Sequence, residues 1–110
     1  MPDFFEVVLS QRAHRELLPT PVSDEVVERL LTAAIHAPSA ENRQPWAFVV
    51  VRDAAQRAAI ARLAEEVWEG GARAHSRARI GERLLADVER WATGGLAASP
   101  LLIVVWATPR

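Results

Sequence analysis

A chain of 110 residues, half of them apolar and a quarter charged, is sized for one domain with a single core and belongs with globular chains rather than disordered ones. Its net charge of -1 removes the basic excess that general nucleic-acid binding requires, and all 13 basic residues are arginine, which excludes lysine Schiff bases and lysine nucleophiles. The absence of cysteine excludes disulfides, thiol nucleophiles and thiolate metal ligands, and no apolar run approaches the roughly 20 residues of a membrane-spanning helix.

The first ten residues carry Asp3 and Glu6 among apolar side chains, unlike a secretory signal, so a cytoplasmic location with no membrane partner is expected. Asp3 is placed to cap a short helix in which Phe4, Phe5, Val7, Val8 and Leu9 supply apolar surface, ending near Ser10 or Gln11. An arm follows over residues 11–17, QRAHREL, and then an extended connector, because Pro19 and Pro21 forbid a helix there. Ser23 predicts an N-cap, with Asp24 and Glu25 at the positive end of the helix dipole. That helix is expected to reach about His36, with Val26, Val27, Leu30, Leu31, Ala34 and Ile35 forming a wide apolar face.

Residues 37–46, APSAENRQPW, lie between this helix and a strand. Pro38 and Pro45 restrict the backbone while Ser39, Glu41, Asn42, Arg43 and Gln44 supply donors and acceptors, so the loop should be a rigid polar shelf. On local grounds alone it is an ordinary helix-to-strand connection. The run 46–51, WAFVVV, is continuous and β-branched, as in a strand covered on both faces. Asp53 and Gln56 form a capping pair for a helix from Ala54 to about Trp68, stopped by Gly70 and Gly71. A second helix is expected over 76–92, with Ile80, Leu84, Val88 and Trp91 on one face and Gly94 and Gly95 closing it. A second apolar strand spans 101–106, between Pro100 and Pro109.

If the two helices form a hairpin, the strands run antiparallel. Two strands covered on both faces need further strands and layers beside them, so the chain reads as the first part of a larger domain.

Arg12 and Arg15 stand three apart in the arm with His14 between them, a spacing at which two guanidinium groups can grip one dianion. Paired arginines beside a helix end are also common on solvated surfaces, and the arm alone leaves both readings open.

The two segments together resemble the FMN-dependent nitroreductase family. The resemblance rests on Arg12-x-x-Arg15 after a first helix, the Pro21-Val22 pair, and the ten ordered positions Ala37-Pro38-Ser39-Ala40-Glu41-Asn42-Arg43-Gln44-Pro45-Trp46. It is close over residues 4–52 and holds for the strand 101–105, while residues 53–100 fit in helical pattern only. It implies an α+β fold, nitroreductase-like, with an antiparallel-rich sheet flanked by helices, of which residues 1–110 form the N-terminal part of the domain, an incomplete one. It implies a homodimer with FMN at the subunit interface and NAD(P)H as reductant. The cofactor-binding residues it carries over are Gln11, Arg12, Ala13, His14 and Arg15 on the arm, and Pro38, Ser39, Ala40 and Asn42 on the loop, the latter reaching the partner's flavin. Gln44 and Trp46 support the loop and pack the sheet. Gln11 and Ala13 depart from the family's common Arg-Arg-Ser-x-Arg, which removes one charge-assisted donor and one hydroxyl. No side-chain acid or base is required, and nitroaromatics, quinones or free flavins are the implied acceptors.

The remaining conspicuous residues have structural explanations. His14, His36 and His75 lack ligand spacing, so surface or cap roles are expected and no metal site is assigned. Trp68 and Trp91 are read as core packing. The arginines Arg73, Arg77, Arg79 and Arg83, with Glu82, Asp87 and Glu89 nearby, read as a solvated, salt-bridged helix face. Two functions stand against each other: an FMN-dependent NAD(P)H oxidoreductase acting on a small electron acceptor, and a truncated, non-enzymatic dimerisation or binding module without flavin.

Overall fold

The computed structural model describes residues 1–108; Pro109, expected to close the second strand, lies outside them. In chain order the elements are α1 (Phe4–Ser10), α2 (Asp24–Ile35), β1 (Trp46–Val51), α3 (Ala54–Val67), α4 (Arg73–Arg77), α5 (Glu82–Arg90), α6 (Leu96–Ala98) and β2 (Leu102–Ala107). The architecture is α+β, as expected.

Three helices start where a polar side chain satisfies an orphan backbone N–H. Asp3 accepts from the Glu6 N–H at 3.0 Å while the Glu6 carboxylate accepts from the Asp3 N–H at 3.1 Å, a reciprocal capping box. Ser23 Oγ accepts from the Val26 N–H at 3.3 Å, and Asp53 from the Gln56 N–H at 2.9 Å. β1 and β2 pair antiparallel, with Trp46 opposite Ala107 and Val51 opposite Leu102. The reversal is made by the helical segment between them, whose last part, residues 91–98, returns against α3.

That segment departs from expectation in two places. The helix expected over 76–92 is broken. The N–H groups of Arg79 and Ile80 both donate to the Ser76 carbonyl, at 2.9 and 3.0 Å, and Gly81 is extended at φ -71°, ψ 159° before α5 begins. The break resets the helical phase, so Leu85 is buried and Leu84, expected to face the core, is 45% exposed. The second departure is at Gly94 and Gly95, which do not stop the helix. The chain passes through them in a wide turn and ends at Ser99, which Pro100 forces into an extended conformation at ψ 133°. Gly70 and Gly71 do interrupt α3, with Gly71 at φ 147°, a conformation that suits only glycine.

The core comprises Val27, Val51, Ala61, Trp68 and Leu85, with Ser99 also buried. Arginines tie its edges together. Arg52, just past β1, donates to the Val22 carbonyl and to Asp24, both at 2.7 Å, which fixes the start of α2 to the end of the strand. Arg57 donates to the Arg52 carbonyl at 3.1 Å and to the Ser99 carbonyl.

The apolar runs of the strands are those of covered strands, yet this chain does not supply the cover: Val49, Val104, Val105 and Trp106 are exposed. The same holds for α1, which buries no residue. The radius of gyration is 16.4 Å, against about 13 Å for a compact domain of this length. The accessible surface is 8910 Å², against about 6,000 Å² for a compact protein of this mass. Both comparisons describe an open fold that leaves much apolar surface exposed among the described residues.

Candidate functional site

The arm leaves α1 at Gln11, whose extended backbone (φ -64°, ψ 134°) carries the chain away from the helix axis. Arg12, Ala13, His14, Arg15 and Glu16 then line one side of a pocket of about 360 Å³, and Asp87 and Arg90 of α5 line the other. Four of the five arm residues expected at a binding site therefore come together, while Gln11 stays at the helix end, outside the lining.

Two contacts seat the arm on α5 and the turn that follows it. Arg90 donates one amine to Glu16 Oε1 at 2.9 Å and the other to Asp87 Oδ1. Gly95 lets the Arg15 carbonyl approach so closely that a Cβ there would lie 3.2 Å from the Arg15 oxygen and 2.9 Å from Trp91 Cε3. The electrostatic outcome is specific. The pocket holds three guanidinium groups and two carboxylates, and both carboxylates are engaged by Arg90. Among the described residues, Arg12 and Arg15 form no ion pair. Two unpaired guanidinium groups on one pocket wall can bind a dianion through charge-assisted hydrogen bonds.

The loop of residues 37–46 is held at both ends. At α2, the His36 N–H donates to the Ala33 carbonyl at 3.3 Å and the ring Nδ1 lies 2.6 Å from the Thr32 carbonyl, the cap role expected for this histidine. At β1, the Thr108 N–H donates to the Pro45 carbonyl at 2.8 Å. Between these anchors Glu41, Asn42 and Gln44 take left-handed conformations, at φ 54°, 52° and 49°. Such conformations are rare outside glycine, with Asn the most tolerant of the three. Ser39 Oγ accepts from the Gln44 N–H at 3.0 Å, and Arg43 grips Glu41 at 2.6 Å, so the loop enforces its own shape. Pro38, Ala40 and Asn42 are exposed and Ser39 half-buried. None of the four lines the arm pocket. Within one chain the two segments of the expected site are thus separate surfaces.

Sequence reasoning missed Glu16, Asp87 and Arg90 as parts of the arm pocket. The Glu16–Arg90 pair joins residues 74 apart, a relation with no local signal. On the expected solvated, salt-bridged face, Arg77, Arg79 and Arg83 are exposed and only Arg73 departs. Arg73 is half-buried, bridges Glu69 and Glu89 at 2.6 Å each, and stacks 6.0 Å above the Trp68 ring. Trp68 is a core residue, as expected.

A sequence model of the nitroreductase family matches residues 8–110. The chain belongs to the nitroreductase family. Within it, the chain is 31% identical over 108 residues to iodotyrosine deiodinase 1 of Rattus norvegicus, covering 94% of this chain and 36% of that protein. It is 43% identical over 53 residues to a putative NADH dehydrogenase/NAD(P)H nitroreductase of Archaeoglobus fulgidus, covering 48% of this chain and 30% of that protein. It is also 45% identical over 49 residues to a 4-nitrobenzoate reductase of Pseudomonas putida, covering 44% and 22%. This nitroreductase-family chain therefore spans about a third of the length of the deiodinase it matches, and the higher identities are confined to about half of its own length.

Proposed function

We propose that this chain contributes to an FMN-dependent NAD(P)H oxidoreductase of the nitroreductase type, with the arm as its phosphate clamp. The observation that carries this reading is the pair of unpaired guanidinium groups, Arg12 and Arg15, on a pocket wall where Arg90 already engages both carboxylates. That donor set fits the dianionic phosphate end of FMN. In this reading Arg12 and Arg15 hold the phosphate, and Gln11, Ala13 and His14 flank the ribityl chain. The loop residues Pro38, Ser39, Ala40 and Asn42 serve the cofactor of a second copy, consistent with a loop that carries its own shape on a surface apart from the arm pocket. When bound, FMN supplies the redox chemistry that links a nicotinamide reductant to an acceptor. The task of these residues is to bind, orient and shield it.

The names of the relatives point to two acceptor classes. A nitroaromatic corresponds to the reductase names, and an iodinated tyrosine to the deiodinase name. A second reading is favoured by the uncovered strands and α1: a non-enzymatic dimerisation or binding module that holds no flavin. The visible spectrum of the purified chain separates the two. Flavin absorbance near one equivalent per chain, with turnover of NADH or NADPH, is expected, and a colourless protein that takes up no added FMN overturns the cofactor reading. Parallel turnover with a nitroaromatic, a quinone and 3-iodotyrosine then identifies the acceptor. Replacing Arg12 or Arg15 by Ala is expected to weaken FMN retention by about 10- to 100-fold each, the loss typical of a charge-assisted hydrogen bond. Unchanged retention removes the arm from the site.

A further inference from the structure

We propose that Arg90 is a positioning residue for the arm, occupying Glu16 and Asp87 so that Arg12 and Arg15 remain free to bind a dianion. The inference rests on the cofactor reading above and concerns what keeps that site open. The pocket contains Glu16 on the arm itself, adjacent in sequence to Arg15, and Asp87 on the facing helix. Either carboxylate, once released, is an intramolecular competitor for the same guanidinium groups that a phosphate would use. Arg90 prevents this with one planar fork, its two amines reaching one carboxylate each. Arg90 is therefore engaged by the site's own anions rather than offered to a ligand.

The test measures flavin affinity of the full chain by quenching of flavin fluorescence, with FMN and, as the phosphate-free control, riboflavin. Arg90→Gln is expected to weaken FMN binding about two- to fivefold, the upper range for exposed ion pairs, while leaving riboflavin binding unchanged. The loss should shrink in high salt, which screens the freed carboxylates. Adding Glu16→Gln and Asp87→Asn to Arg90→Gln should restore FMN affinity, an outcome that a merely structural role for Arg90 does not produce. If Arg90→Gln fails to fold, the double variant Glu16→Gln/Asp87→Asn decides: releasing Arg90 as a third guanidinium should tighten FMN binding several-fold. Equal losses for FMN and riboflavin, no rescue, or no tightening in the double variant overturn the inference. Failure of the unaltered chain to bind FMN would instead sink the cofactor reading itself. FMN binding that depends on Arg12 but not on Arg90 would leave that reading standing and remove only the positioning role.

Discussion

Gly94 and Gly95 are neighbours in one turn, yet a methyl group should have opposite effects at the two positions. Neither has a positive φ, and Gly95 sits at φ -62°, ψ -40°, so alanine is conformationally acceptable at both. Replacing glycine by alanine in such a backbone stabilises by about 0.4–1 kcal/mol, because the unfolded chain loses freedom. At Gly94 nothing lies within 4 Å of the added Cβ, so that gain should appear in full. At Gly95 the Cβ meets Trp91 Cε3 at 2.9 Å, the Arg15 carbonyl at 3.2 Å and the Arg90 carbonyl at 3.4 Å. An indole ring and a tethered arm cannot both yield, and overpacking of this kind costs about 1–3 kcal/mol. Gly94→Ala should therefore raise the urea midpoint and Gly95→Ala lower it, with the two variants separated by about 1–3 kcal/mol. Denaturation followed by tryptophan fluorescence reads both. Shifts of the same sign and similar size would refute the claim that the arm is packed against this turn.

Two further outcomes are expected. Ser39→Ala removes the acceptor for the Gln44 N–H, which should accelerate hydrogen exchange at that amide and cost about 0.5–1.5 kcal/mol; unchanged exchange would show that the loop is held by other means. The surface excess of about 2,900 Å² over a compact protein of this mass exceeds the roughly 800 Å² per partner of a standard interface. The chain should therefore sediment as a dimer or larger species, and a monomer at high concentration with a sharp unfolding transition would contradict that.

Much of the fold was legible because its signals are local. Asp3, Ser23 and Asp53 cap the helices they were expected to cap, and the two β-branched runs pair antiparallel because a helical reversal lies between them. The failures share one cause. The spacing of Ile80, Leu84, Val88 and Trp91 is helical, but periodicity does not register a backbone break, and Gly81 shifted burial from Leu84 to Leu85. Gly94 and Gly95 look like a stop, yet Gly95 is small for a packing reason supplied by Arg15, 80 positions earlier. Arg12 and Arg15 stood out only together with the loop of residues 37–46, whereas the wall facing the arm, Asp87 and Arg90, was hidden among helix-surface charges until tertiary structure brought Glu16 to it.

The loop of residues 37–46 carries a cost that its hydrogen bonds alone do not reveal. Glu41 and Gln44 in left-handed conformations cost about 1–2 kcal/mol each, with Asn42 costing less, a sum that is a sizeable fraction of the net stability of a domain. A fold that retains such a segment has an internal energy reserve at one end of its sheet. Any partner or ligand that seats itself on the preset shape is spared the ordering step, while heat or a lost anchor releases the reserve into melting that end first.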